Sequence, residues 1–237
     1  MNDPKTRLIV AIDVPDKAAA LQCVDRLSGR VGYFKIGLEI FTAEGPRLVE
    51  EIRDRGERIF LDLKLHDIPN TVAGAVRSAC RLGVDMLTVH ASGGSAMLRA
   101  AVEEAQRVSK PPLILAVTAL TSLSDEDVAR LGVGRKTEQW VETLVDIAHG
   151  AGVRGIVASG RELTMLRKKF GDEMRLVIPG IRPAGAAAQD QSRAVTPGEA
   201  IRSGAGFIVV GRPILQAADP AAAADNIVAE IRDALRK

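Results

Sequence analysis

The stretch Phe60-Leu61-Asp62-Leu63-Lys64-Leu65-His66-Asp67-Ile68-Pro69-Asn70-Thr71 begins as a strand whose two faces are divided in an unusual way. Successive side chains of a strand point to opposite faces, so the leucines share one face and Asp62, Lys64 and His66 share the other. Leucines suit packing against helices, which leaves the charged row facing the inside of a closed structure. Buried charges are costly unless they are paired or hydrogen-bonded, so we interpret the row as a functional site.

Size and composition restrict the possible classes of protein. The 237 residues fit one domain, residues 1–237, and 46% hydrophobic with 26% charged residues is typical of a globular protein. A net charge of +2 gives no electrostatic argument for nucleic-acid or membrane binding. No signal peptide and no apolar run of about 20 residues is visible, so we expect a cytoplasmic protein. Cys23 and Cys80 form no C-x-x-C motif and predict neither a disulfide nor a metal site.

Apolar runs alternate with helical patterns on both sides of the quoted stretch. One helix is predicted over residues 41–55, between the second and third strands. Alternating strands and helices indicate a parallel sheet, and eight such units predict an α/β fold closed as a (β/α)8 TIM barrel. An open doubly wound sheet is the alternative, but no G-x-G-x-x-G motif follows the first strand. The strands are predicted at residues 8–14, 31–37, 58–65, 86–91, 113–118, 155–159, 175–180 and 206–211.

Charged residues gather where the first three strands end, which is the end of a barrel that carries the active site. Asp13 lies at the end of the first strand, Lys35 lies near the end of the second, and Asp62 and Lys64 lie on the third. Opposite charges about 4 Å apart attract by roughly 4 kcal/mol in an effective dielectric near 20, which favours ionised side chains in a partly dry pocket. Alternatively, Lys35 is a solvated lysine and Asp62–Lys64 a structural ion pair.

Two further regions suit an anionic ligand. Gly211-Arg212 follows the last strand, where barrels of this type commonly bind phosphate, although such a pair can also be a simple turn. The loop over residues 181–195 is long enough to be a lid, with Arg182 and Gln191 as its ligand-binding residues, or else it is a variable surface loop. His66, His90 and Asp62 could suggest a metal, but each histidine can equally be a hydrogen-bonding residue of the barrel. We therefore expect no metal, and no cofactor motif is visible.

The motif Asp62-x-Lys64-x-x-Asp67-Ile68-Pro69-Asn70-Thr71 resembles the signature of orotidine 5′-phosphate decarboxylases, which form UMP in the last step of pyrimidine synthesis. The resemblance covers essentially the whole chain. It implies decarboxylation of orotidine 5′-phosphate without a cofactor, in a homodimer whose active sites lie at the interface. The other matching motifs, in order, are Asp13, Lys35, residues 116–122, residues 179–182, residues 190–191 and residues 210–212.

The resemblance also implies roles for individual residues. Lys64 is expected to protonate C6 of the pyrimidine, Asp62 to face the substrate carboxylate, and Lys35 and Asp67 to complete the charged network. Asp67, Ile68 and Thr71 are expected to come from the second subunit. The remaining substrate-binding residues are Asp13 and Lys35 for the ribose, Thr121 near the pyrimidine, and Arg182, Gln191, Gly211 and Arg212 for the phosphate.

Two other functions remain open from the sequence. Mg²⁺-dependent sugar-phosphate decarboxylases and aldolases share the D-x-K-x-x-D motif, but the Asp-Ile-Pro-Asn-Thr continuation favours the orotidylate enzymes. A catalytically silent barrel that binds nucleotide phosphates would be expected to lack one of Lys35, Asp62, Lys64 or Asp67, and all four are present.

Overall fold

Parallel strands close into a barrel in the order in which they occur along the chain, with the last strand paired to the first. The computed structural model describes residues 3–183 and 195–236. The closed barrel confirms the predicted fold class and excludes the open sheet. Its strands are β1 Leu8–Ala11, β2 Tyr33–Gly37, β3 Ile59–Leu65, β4 Met86–His90, β5 Leu113–Val117, β6 Gly155–Val157, β7 Arg175–Ile178 and β8 Phe207–Val210.

Helices cover the outside of the barrel between successive strands. None of those within the described residues is long and apolar enough to cross a membrane. Their bounds are α1 Lys17–Leu27, α2 Leu38–Glu44, α3 Pro46–Asp54, α4 Pro69–Leu82, α5 Gly94–Ala105, α6 Asp125–Arg130, α7 Thr137–Gly150, α8 Leu163–Phe170, α9 Pro197–Arg202, α10 Arg212–Leu215 and α11 Pro220–Leu235.

The prediction of one helix over residues 41–55 was wrong, because two helices occupy this region. Helix α2 already begins at Leu38, and Gly45, with φ of 67°, ends it. Pro46 then occupies the first position of α3. Glycine adopts this left-handed backbone readily, and a proline at the start of a helix loses no intrahelical hydrogen bond.

The apolar core has two layers separated by the strands. The inner layer fills the barrel with side chains that include Ile9, Ala11, Phe60 and Met86. The larger outer layer packs the other strand faces against the helices. Since inward-facing positions recur every second residue, the inner apolar side chains are followed by polar ones nearer the carboxyl ends of the strands. The interior near the amino ends of the strands is therefore packed with apolar side chains, and the carboxyl ends are free to hold a site.

Strand β3 confirms the predicted division between a leucine face and a charged face. Leu61 is buried in the outer core, and Leu63 and Leu65 pack against it. The regular alternation fails at Lys64, whose φ of 50° is in the left-handed region. Leu61 pairs with Leu87 and Leu65 with Val89, so β3 advances four residues while β4 advances two. Residues 62–64 of β3 therefore lie opposite the single residue Thr88 of β4, two more than in a regular pair, and the outer face resumes at Leu65.

An ion cluster joins α4 to α5 on the outside of the barrel. Arg77 donates two hydrogen bonds to the buried carboxylate of Glu104, of 2.7 Å from Nε and 3.1 Å from Nη2. Arg107 Nη1 lies 3.2 Å from the same carboxylate. These hydrogen bonds and charges hold the pKa of Glu104 below its usual value, with Arg77 as the largest cause. A depressed carboxyl pKa stabilises the fold above the unfolded-state pKa, and this contribution is lost as the pH falls through the folded-state pKa.

We therefore expect Glu104→Gln to lower the melting temperature at neutral pH, and we expect the gap from the wild type to shrink below pH 4.5, the ordinary glutamate value. Thermal melts across this pH range measure the gap. Glu103→Gln is the matched control, because Glu103 is the exposed neighbour on the same helix. A gap that is independent of pH would contradict this prediction.

Candidate active site

Four charged side chains meet at the carboxyl ends of β1, β2 and β3. Lys35 Nζ lies 3.4 Å from Asp13 Oδ1 and 3.6 Å from Asp62 Oδ2. Lys64 Nζ lies 3.0 Å from both carboxylate oxygens of Asp62. The residues form a row of alternating charge, Asp13–Lys35–Asp62–Lys64, which we call the charged row. The structure thus brings together these four predicted site residues from three separate strands.

The charged row becomes more enclosed toward its middle. The Lys35 and Asp62 side chains are 12% and 13% exposed, whereas Lys64 is 31% and Asp13 55% exposed. Two ammonium groups flank the Asp62 carboxylate, which offsets the cost of removing its charge from water. Lys64 is the more exposed of the two lysines that contact Asp62, so its ammonium is the more accessible to a ligand at the barrel mouth.

Sequence reasoning missed two residues beside the charged row. A Cβ on Gly37 would lie 2.9 Å from Lys35 Nζ, so the glycine leaves the room that this ammonium occupies. Thr88, which is fully buried, contacts both Asp62 and Lys64 through its hydroxyl. The available signal was a threonine inside the apolar run that forms β4, at a position facing the barrel interior.

The two histidines of the barrel mouth lie against each other. The rings of His66 and His90 stack with centroids 5.2 Å apart and planes inclined by 29°. Burial lowers the pKa of His90 below its usual value, and its neighbours His66 and Lys64 lower it further. We therefore expect a neutral His90 ring at neutral pH. Among the residues that the structure describes, no group of three or more His, Cys, Asp or Glu side chains is placed to hold a metal.

Asp67 and Ile68 immediately precede α4, and Thr71 lies in its first turn. All three are exposed, and the Ile68 side chain is 66% exposed. Asp67 Oδ1 accepts the backbone N–H of Ile68 at 2.6 Å. Within residues 3–183 and 195–236, none of the ion pairs that we find includes Asp67. The structure of one chain therefore does not bring Asp67 into the charged row.

Among the described residues, a cavity lies on the opposite side of the barrel mouth. This cavity of about 670 Å³ is lined by Thr121 and Val195 and by residues that follow β5, β6 and β7. Arg182 follows the lining residue Ile181 in the chain. Within the described part of the chain, Arg182 Nε is buried and has no hydrogen-bond partner. Such an orphaned buried donor suits an anionic ligand.

Gly211 and Arg212 complete the ring of strand ends between β8 and β1. A Cβ on Gly211 would lie 3.4 Å from Asp13 Oδ2, so this glycine adjoins the charged row. Arg212 begins α10. Gln191 and the central part of the predicted lid, residues 184–194, lie outside the described residues.

Comparisons with known proteins agree on one family. Residues 6–227 match the model of the "Orotidine 5′-phosphate decarboxylase / HUMPS family". The orotidine 5′-phosphate decarboxylase of Moorella thermoacetica is 53% identical over 233 residues, covering 96% of this chain and 92% of the relative. The enzyme of the same name from Syntrophotalea carbinolica is 48% identical over 240 residues, covering 99% and 98%. The crystal structure of the Lactobacillus acidophilus decarboxylase superposes with a TM-score of 0.84 at 36% identity, covering 94% and 98%.

Proposed function

The chain belongs to the orotidine 5′-phosphate decarboxylase / HUMPS family, and on this premise we propose that it converts orotidine 5′-phosphate to UMP in pyrimidine synthesis, with Lys64 as the proton donor. It is a carboxy-lyase with the fold of its solved relatives. The single observation that carries the proposed mechanism is the charged row, in which Lys64 holds an ammonium 3.0 Å from the Asp62 carboxylate.

Decarboxylation of orotidine 5′-phosphate requires a positively charged group beside C6 of the pyrimidine. When the bond from C6 to the carboxylate carbon breaks, CO₂ leaves and the electron pair stays on C6 in the plane of the ring. The π system of the ring cannot delocalise that pair, so the protein has to place positive charge beside it in advance. The Lys64 ammonium does this and then gives its proton to C6, which yields UMP. Water afterwards restores the proton to Lys64.

The flanking residues of the row have complementary roles in this proposal. Asp62, held between two ammonium groups, faces the substrate carboxylate and destabilises it before CO₂ leaves. In this proposal Asp13 and Lys35 bind the ribose hydroxyls, and their position between Gly211 and Asp62 supports the assignment. We assign the 5′-phosphate to Arg182, Gln191, Gly211 and Arg212, and the pyrimidine face to Thr121.

We also propose a homodimer in which each active site receives Asp67, Ile68 and Thr71 from the partner subunit. The exposed Ile68 supports this, as does Leu38 at the start of α2, an exposed large apolar side chain at the end of the neighbouring strand. A contiguous exposed apolar patch marks an interaction surface, and in this proposal Ile68 and Leu38 belong to one such patch. One decarboxylase domain over residues 1–237, a cytoplasmic location and turnover without a cofactor belong to the same proposal.

The loss of orotidylate absorbance in EDTA tests the proposed reaction. We expect turnover that does not depend on added metal, because the ammonium of Lys64 supplies the positive charge. Failure to consume orotidylate with or without EDTA, together with Mg²⁺-dependent cleavage of a ketose phosphate, would assign the chain to the sugar-phosphate enzymes. UMP binding without any turnover would instead indicate a silent nucleotide-binding barrel.

A further inference from the structure

Thr88 lies on β4, fully buried inside the barrel, and its hydroxyl contacts two members of the charged row. It accepts the backbone N–H of Lys64 at 2.8 Å and donates to Asp62 Oδ1 at 2.9 Å. We propose that Thr88 is a positioning residue that fixes the backbone of the proton donor and the orientation of its carboxylate partner. This inference rests on the proposed function and deepens it.

The bulge in β3 explains why a side chain is needed at this place. Between the pairs Leu61–Leu87 and Leu65–Val89 the ladder with β4 is out of register, so the N–H of Lys64 loses the regular geometry of a strand pair. A buried N–H without an acceptor is costly, and nearly all such groups in folded proteins are paired. The Thr88 hydroxyl supplies the acceptor.

The backbone of Lys64 needs that support for a second reason. Its φ of 50° lies in the left-handed region, which residues other than glycine, asparagine and aspartate adopt rarely. Strained residues of this kind persist only where the surroundings hold them. The hydrogen bond from the Lys64 N–H to Thr88 is one such restraint, and it acts on the residue whose ammonium has to meet C6.

The same hydroxyl also aligns Asp62. A hydroxyl has one proton to donate, and Thr88 directs it to Oδ1 while its oxygen accepts from Lys64. With Oδ1 held in this way, both carboxylate oxygens lie 3.0 Å from Lys64 Nζ. The β-branched side chain of threonine restricts rotation about χ1, so the hydroxyl stays directed at both partners. One buried group therefore couples the geometry of the proton donor to that of the neighbouring carboxylate.

Four variants separate positioning from simple packing. Thr88→Val keeps the shape and removes the hydroxyl, whereas Thr88→Ser keeps the hydroxyl and removes the methyl. Thr88→Ala removes both the hydroxyl and the methyl group. Because serine differs from alanine only by the hydroxyl, the ratio of the kcat of Thr88→Ser to that of Thr88→Ala isolates the effect of the hydroxyl even if Thr88→Val does not fold. Thr143→Val is the control, because the Thr143 hydroxyl lies on the outer helix α7 and donates to a backbone carbonyl, that of Gln139, at 2.9 Å.

We expect Thr88→Val and Thr88→Ala to lower kcat by roughly 10- to 100-fold, as for loss of a hydrogen bond to a charged group, with a KM change below about threefold. Thr88→Ser should recover most of the kcat, and Thr143→Val should keep the wild-type kcat. Folded Thr88→Val or Thr88→Ala with unchanged kcat, or a Thr88→Ser as slow as Thr88→Ala, would overturn the inference. Wild-type turnover of orotidylate in the same assay shows that the proposed function stands in either case, and its absence would mean that the function has failed.

Discussion

Lys64→Ala is expected to lower kcat/KM for orotidylate by roughly 10⁴- to 10⁷-fold, since general acid catalysis and preorganised electrostatic stabilisation each contribute orders of magnitude. The variant removes the ammonium beside Asp62 and, in the proposed mechanism, the proton that C6 receives. Lys35 cannot replace it, because the Lys35 ammonium already pairs with two carboxylates. Its Nζ lies 3.6 Å from Asp62 Oδ2 and 3.4 Å from Asp13 Oδ1. Steady-state assays with orotidylate measure the loss.

Lys110→Ala is the control for this experiment. Lys110 is exposed and precedes β5, so it lies at the opposite end of the barrel from the charged row. Its removal should leave kcat/KM unchanged. UMP should still bind to Lys64→Ala, because the groups assigned to its phosphate lie elsewhere on the barrel mouth. Turnover within tenfold of the wild type in Lys64→Ala would keep the reaction but remove Lys64 from the mechanism.

Mixing two inactive variants is expected to restore activity across the dimer interface. Asp67→Ala and Lys64→Ala should each be nearly inactive alone. If Asp67 serves the partner's site, each heterodimer holds one site with both residues intact. Random reassortment then gives roughly a quarter of the wild-type activity per subunit. The physical reason is that Asp67 is exposed in its own chain and is absent from the ion pairs of the charged row in the residues that the structure describes.

Mixing Lys64→Ala with Asp62→Ala provides the matched control. Asp62 and Lys64 are paired within one chain, so no heterodimer of these variants holds an intact site. Differently tagged subunits allow the heterodimers to be purified and counted before the assay. A verified Lys64→Ala/Asp67→Ala heterodimer with no turnover would show that Asp67 does not act across the interface. A monomer in solution at assay concentrations would refute the shared site altogether.

The sequence predicted the barrel because each strand and helix shows its own pattern within a short stretch of residues. Each buried strand is an apolar run bounded by helical periodicity, and the inverted polarity of β3 placed Asp62 and Lys64 inside. The Gly45-Pro46 pair was also readable as a helix break, and the single helix predicted there ignored it. Turn chemistry of this kind is visible in the sequence when it is sought.

Other features of the site depend on how neighbouring strands and loops come together in space, and no local pattern in the sequence predicts them. The left-handed backbone of Lys64 follows from the register between β3 and β4, which the closed barrel sets. The contacts of the Thr88 hydroxyl are defined only once that register is known. The cavity lined by Thr121 and Val195 likewise depends on loops that follow separate strands, and no spacing within one stretch of sequence encodes their meeting.

The bulge in β3 limits what a protein designer can transplant from this barrel. On a regular strand, the two charged residues of an Asp-x-Lys graft would stand roughly 6.6 Å apart along the strand, each beside its own ladder partner. Here the native arrangement also requires two surplus residues in the host strand and an inward hydroxyl on the next one. Transplanting the Asp-x-Lys sequence alone would transfer the charges without their geometry. The smallest transferable unit is therefore a pair of adjacent strands.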